Sequence, residues 1–297
     1  MRNLFKSFLP FIFFFLIQLA VTIPMMVIQL ADHYILSGAY RDDTATFLEY
    51  AMSLLKNTAF LQRLSVVFAV TVIIVFGIWY RRRFIAPFRK RPKKYWNGFS
   101  MQILFAVIFL GFGLQYITSL FSYVVSWINP SLLYNYNSSI DSAGYNSITI
   151  MLAVYTIILA PVGEELVFRG LTYRFARKAL PFWGANILQA ALFGVMHLNL
   201  FQGLYAFFLG LFLGWICHIG RGVRYSILLH MIFNLLGTIF SGFFQITMSL
   251  SVAGFSLIGI ALTIFALAIY RAEFRSRNAR FRSRSGQDNR RNFTVVS

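Results

Sequence analysis

Residues 8–30 read FLPFIFFFLIQLAVTIPMMVIQL, with no charge and nothing more polar than two glutamines and a threonine. A helix rises about 1.5 Å per residue, so this run outlasts the roughly 30 Å of a bilayer's hydrocarbon layer. No small-residue cleavage site follows it, and it reads as an anchor rather than a removed signal. Working outward, comparable apolar runs lie near 64–80, 99–128, 147–160, 182–198, 203–219, 225–248 and 252–270. That makes about eight spans, the fourth continuing as helix past Pro161 to about Lys178.

Composition agrees. Of 297 residues, 58% are apolar, 18% aromatic and only 12% charged, with mean hydropathy +0.67. A soluble domain carries about a quarter charged residues, so a water-facing globular fold is excluded. A closed barrel would alternate apolar and polar residues and show no long apolar runs. The expected fold class is therefore all-α, a polytopic transmembrane helical bundle. The lone Cys217 excludes a disulfide framework or a cysteine metal cluster.

The net charge of +18 raises a nucleic-acid reading, which the placement of the charges removes. With the N-terminus inside, nearly all basic residues fall at inner span ends: Arg2 and Lys6, the segment Arg81–Lys94, Arg174–Lys178, Arg221 and Arg224, and the arginines from Arg271 to Arg291. This is the positive-inside pattern, so no nucleic acid is needed as a partner. It predicts a multi-pass protein of the plasma (cell) membrane with cytosolic termini. The tail after Tyr270 reads as a disordered basic segment lying on anionic lipid. The outer loop carries Arg41, Asp42 and Asp43, and its part 46–56 reads as a short amphipathic surface helix. Segment 129–146 reads as a turn-rich outer loop. The chain then divides into an N-terminal transmembrane region (1–146), a core (147–250), a last span (251–270) and the tail (271–297). No internal repeat suggests a transporter built from inverted halves.

Function is carried by the polar residues inside the spans, which are costly in hydrocarbon. Only two acids lie there, the adjacent Glu164 and Glu165 in the fourth helix. Glu165 and Arg169 are four apart with the acid N-terminal, the favourable order for an intrahelical ion pair. Glu164 points about 100° away, lacks that partner, and is free to face a cavity as a general base. Pro161 removes one helical hydrogen bond beside this pair. In the fifth helix Asn186, Gln189, Phe193 and His197 form one stripe; in the seventh, His230, Asn234, Gly237, Ser241 and Gln245 form another. His218 reads as interfacial, and Gly203, Gly210 and Gly214 as a close packing face.

An acid, two imidazoles and an amide permit two designs. Glu164, His197 and His230 can bind Zn²⁺, or the same groups can activate a water without a metal, with an N–H stabilising the oxyanion. No aspartate lies in a span, no His-Glu-x-x-His occurs, and Ser100 and Ser256 lie away from the stripes. Hydrolysis by a Glu/His-activated water is the surviving enzyme class.

Glu164-Glu165-x-x-x-Arg169, Phe193-x-x-x-His197 and His230-x-x-x-Asn234 resemble, in order and spacing, the three motifs of the CPBP (CAAX protease and bacteriocin-processing, or Abi) intramembrane proteases, relatives of the Ras-converting CAAX endopeptidase. The resemblance covers roughly 148–242. It implies that Glu164 activates the attacking water, with His197 as partner base or metal ligand. It further implies that His230 and Asn234 are oxyanion stabilisers or ligands, that Glu165 and Arg169 are a supporting pair, and that Phe193 packs beside the site. The implied substrate is a peptide or membrane-protein segment, CAAX-like or of the bacteriocin or signal-peptide processing kind. A metal is left open. The alternative is a non-catalytic membrane partner, an immunity or sensor-regulating protein that keeps the polar cluster for folding.

Overall fold

The computed structural model describes residues 2–36, 44–88, 100–145 and 148–294. Among these, every regular element is a helix: α1 (Arg2–Leu36), α2 (Thr44–Leu54), α3 (Thr58–Tyr80, with a π-helical turn Arg81–Ile85), α4 (Met101–Ile128) and α5 (Pro130–Ser142). Then come α6 (Ile150–Ala176), α7 (Phe182–Met196), α8 (Leu200–Gly220), α9 (Val223–Ile239), α10 (Ser241–Leu250) and α11 (Val252–Thr294). Side-chain caps start several of them: Asn57, Ser100, Thr149 and Asn199 accept from the backbone N–H three residues on.

Fewer helices are individually long and apolar enough to span than there are apolar runs. Six helices (α1, α3, α4, α6, α8 and α11) are long and apolar enough to span, and α9 with α10 makes a seventh only if the pair, bent by 73°, counts as one. Two of the about eight expected runs depart from an unbroken, full-length helix. Helix α7 has 15 residues, about 22 Å of rise, short of the hydrocarbon thickness. The run 225–248 is broken at Phe240, whose φ −108° and ψ 16° leave the helical region.

Two further expectations change. Of segment 129–146, expected to be turn-rich, Pro130–Ser142 folds as α5, begun by Pro130 at its first position. Its serines return their hydroxyls to the preceding turn, Ser139 to Asn135 O and Ser142 to Ser138 O, both 2.8 Å. Residues that read as turn formers are thus absorbed by a helix. The basic tail, expected to be disordered, continues α11 to Thr294. Helix α2 occupies the expected amphipathic stretch. Arg41, Asp42 and Asp43 and the basic stretch Arg89–Lys94 lie outside the described residues.

Basic helix ends gather on one face. Arg174 stacks over Tyr80 and Phe84, its guanidinium carbon 5.3 and 5.6 Å from the ring centroids, and Lys178 Nζ lies 5.2 Å from Phe84. Partial burial, then the cations Arg83 and Lys6, hold the Lys178 ammonium below the ordinary lysine range. The start of α1 and the ends of α3 and α6 therefore share a side. On α1, Leu9, Ile12, Phe13, Leu16, Leu19 and Ile23 are exposed, as a lipid-facing surface requires.

The core brings α7 hard against α8. Three of the four α8 glycines face α7: a Cβ at Gly203 would come 2.9 Å from the Gly194 carbonyl oxygen, one at Gly210 3.0 Å from Ala190 Cβ, and one at Gly214 would meet Asn186. A Cβ at Gly194 would lie 2.6 Å from the Gly203 carbonyl oxygen. Backbone cannot yield there, so Gly194→Ala forces the helices apart. We expect a stability loss of about 1–3 kcal/mol, read as a lowered melting temperature in detergent.

Candidate active site

Helix α6 positions the acids, and its irregularity has a covalent cause. Two π-helical stretches, Tyr155–Leu159 and Leu166–Thr172, flank the α-helical turn at Ala160–Glu165. In the first, Ala160 N–H bonds to the Tyr155 carbonyl, five residues back. The next donor in that register is position 161, and proline has none. The Thr156 carbonyl is taken instead by Asn234 Nδ2 of α9, which donates to it at 2.9 Å. The Thr156 hydroxyl lies 2.7 Å from the Tyr145 hydroxyl. Burial pushes that phenol above its ordinary range, the Thr156 bond opposes this, and the nearby Tyr136 and Glu164 add to it.

Glu165 and Arg169, both fully buried, form an ion pair of 2.6 Å. Arg169 also donates to the Gly210 carbonyl at 3.2 Å and lies 4.4 Å from the Phe193 ring centroid. His230 stands between the two glutamates. Its Nδ1 lies 3.2 Å from Glu165 Oε1, the oxygen that Arg169 also holds, and its Nε2 lies 3.7 Å from Glu164 Oε2. An ionised Glu165 can only accept, so Nδ1 carries a proton toward it, and Nε2 faces Glu164. Glu164 keeps 16% of its side chain exposed.

His197 closes α7. Its Nδ1–H donates to the Phe193 carbonyl at 2.8 Å, since a carbonyl can only accept, and this leaves Nε2 as an acceptor. The Phe193 ring lies perpendicular to both imidazoles, its centroid 5.1 Å from that of His197 and 5.7 Å from that of His230. Among the described residues no ion pair within 4 Å joins His197 to Glu164. The rest of the α7 stripe is structural. Asn186 donates to the Leu211 carbonyl at 3.1 Å, and Gln189 to the Gly210 carbonyl at 2.9 Å and to Asn186 Oδ1 at 2.8 Å. Both are fully buried and bolt α7 to α8. On α9, Gly237 makes room for Gln115, which donates to the Phe233 carbonyl at 2.7 Å. His218 stacks on Phe182 and lies 3.0 Å from the Tyr173 hydroxyl, away from the acids.

Glu164 lines a narrow pocket of about 40 Å³, with Tyr155 and Gly163 of α6, Phe14 of α1, and Phe68 and Val72 of α3. That is room for a few waters at about 10–15 Å³ each. The structure therefore joins Glu164, Glu165, Arg169 and His230, sets His197 against the Phe193 ring, and turns Asn234 to the α6 backbone. His197, His230 and Asn234 are not in the pocket wall. Reading the sequence missed Phe14, Tyr145, Tyr155 and Thr156. They lack any charge or motif, and only the packing of α1, α3 and α6 brings them near Glu164. The candidate ligand set Glu164, His197 and His230 does not converge: among the described residues no three His, Cys, Asp or Glu side chains could hold a metal ion together.

Residues 146–236, which hold all three motifs, match the Rce1-like family, described as type II CAAX prenyl endopeptidase Rce1-like. No curated protein and no solved structure matches the chain. The segment of this multi-pass helical membrane protein that supplies Glu164, Glu165, Arg169, His197, His230 and Asn234 is thus similar to the type II CAAX prenyl endopeptidases.

Proposed function

We propose that the protein hydrolyses a peptide bond within the membrane, using a water activated by Glu164. The observation that carries this reading is His230 held between two carboxylates, Nδ1 on Glu165 and Nε2 facing Glu164. Glu164 accepts a proton from the water as it attacks the scissile carbonyl. His230, oriented by Glu165 as Arg169 holds that acid, takes the proton at Nε2. The resulting imidazolium N–H faces the developing oxyanion and returns the proton to the leaving amine. His197, its Nδ1–H held by the Phe193 carbonyl, leaves Nε2 to accept from a water. The substrate is a peptide or membrane-protein segment, delivered from the cytosolic half of the bilayer. The basic face and tail rest on anionic lipid, which sets that face toward the cytosol of a plasma membrane.

This reading routes no step through a metal, supported by the absence, among the described residues, of three side chains that could hold one together. The test is cleavage of a library of quenched-fluorophore peptides by protein in liposomes. Activity unchanged by EDTA and by 1,10-phenanthroline, and absent from the Glu164→Gln variant, supports the reading. Loss of activity with either chelator and its return with Zn²⁺ overturns the metal-free route. Undiminished cleavage by Glu164→Gln overturns the role of Glu164.

A further inference from the structure

Thr156 is gripped from two sides, by the Tyr145 hydroxyl and by Asn234. Its carbonyl is vacant within its own helix because the donor position that follows the Ala160-to-Tyr155 bond is Pro161. In hydrocarbon no water takes up such a group, so the carbonyl needs a partner from elsewhere in the protein. Asn234 stands one helical turn beyond His230 on α9, and Thr156 two turns before Glu164 on α6. A bond between Asn234 and Thr156 therefore sets how far α9 lies along α6. With it goes the 3.7 Å separation of His230 Nε2 from Glu164 Oε2.

We propose that Pro161 and Asn234 form a two-part latch: the proline's missing N–H exposes the Thr156 carbonyl, and Asn234 captures it to hold His230 in register with Glu164. Asn234 is then a positioning residue, with its amide engaged by backbone rather than by the reacting atoms. The latch rests on the hydrolase reading for its effect on rate, but its effect on stability stands without it.

The experiment is a double-mutant cycle on the full chain with Asn234→Leu and Pro161→Ala. Asn234→Leu leaves the carbonyl unpaired and lowers Tm by about 2–6 °C. Loss of register lowers kcat about 10–100-fold, with KM unchanged. Pro161→Ala returns an N–H to α6, so the double variant recovers most of both losses. Asn234→Asp keeps the shape without the donor and falls with Asn234→Leu. An oxyanion role predicts the opposite: a double variant as slow as Asn234→Leu, and that result overturns the latch. Should Pro161→Ala alone silence cleavage, Tm decides, additive losses overturning the proposal and recovery supporting it. Recovery of Tm in a protein that cleaves no peptide would sink the hydrolase reading and leave the latch intact.

Discussion

Replacing Glu164 by glutamine lowers peptide cleavage about 10²–10⁴-fold, the usual contribution of a positioned general base, and leaves Tm unchanged. The two effects separate because Glu164 does little to hold the fold. Its separation of 3.7 Å from His230 is too long for a hydrogen bond. Part of its side chain is exposed to the pocket, and glutamine fills the same space. Initial rates in liposomes and melting curves in detergent read both quantities on one preparation. A variant that loses Tm along with activity would move Glu164 from chemistry to folding and would favour the non-catalytic alternative.

Arg169→Met has the largest expected effect on stability, about 3–5 kcal/mol. The guanidinium is fully buried, pairs with Glu165 at 2.6 Å, donates to the Gly210 carbonyl and stacks on Phe193. Removing it leaves a carboxylate buried without its cation, with His230 as the remaining partner of Oε1. Adding Glu165→Gln removes that charge, so the double variant recovers a large share of the loss, since replacing both members of a buried pair is often close to neutral. Thermal unfolding of the parent, both single variants and the double variant measures the coupling. An Arg169→Met protein as stable as the parent would show the pair to be dispensable to the fold.

Several features were legible in the chain because they follow from local spacing. Uncharged runs longer than the bilayer is thick demand helices, and four-residue spacing puts Arg169 on Glu165 whatever surrounds them. The three motifs were likewise readable as strings, and they lie in the segment that matches the family model. Span count was legible only in part. Residues 182–198 and 225–248 are as apolar as the longer helices, yet α7 stops at 15 residues and α9 bends at Phe240. Hydropathy measures the solvent a segment prefers and says nothing of where its backbone turns. The serines and asparagines of α5 misled for a related reason: their hydroxyls return to their own helix as readily as they form a turn.

By itself, then, the order of residues determined a membrane-embedded helical protein, the three motifs and the acid–arginine pair. These depend on hydrophobic length and on neighbours within one helical turn. Only the tertiary structure decided that His230 lies between the two acids, that Phe193 packs against both imidazoles, and that Asn186 and Gln189 bind α8 instead of facing a cavity. It alone turned Asn234 to the carbonyl that Pro161 leaves vacant. Those contacts join helices far apart in the chain, and which buried polar group meets which is settled by the need to satisfy each of them where water is absent.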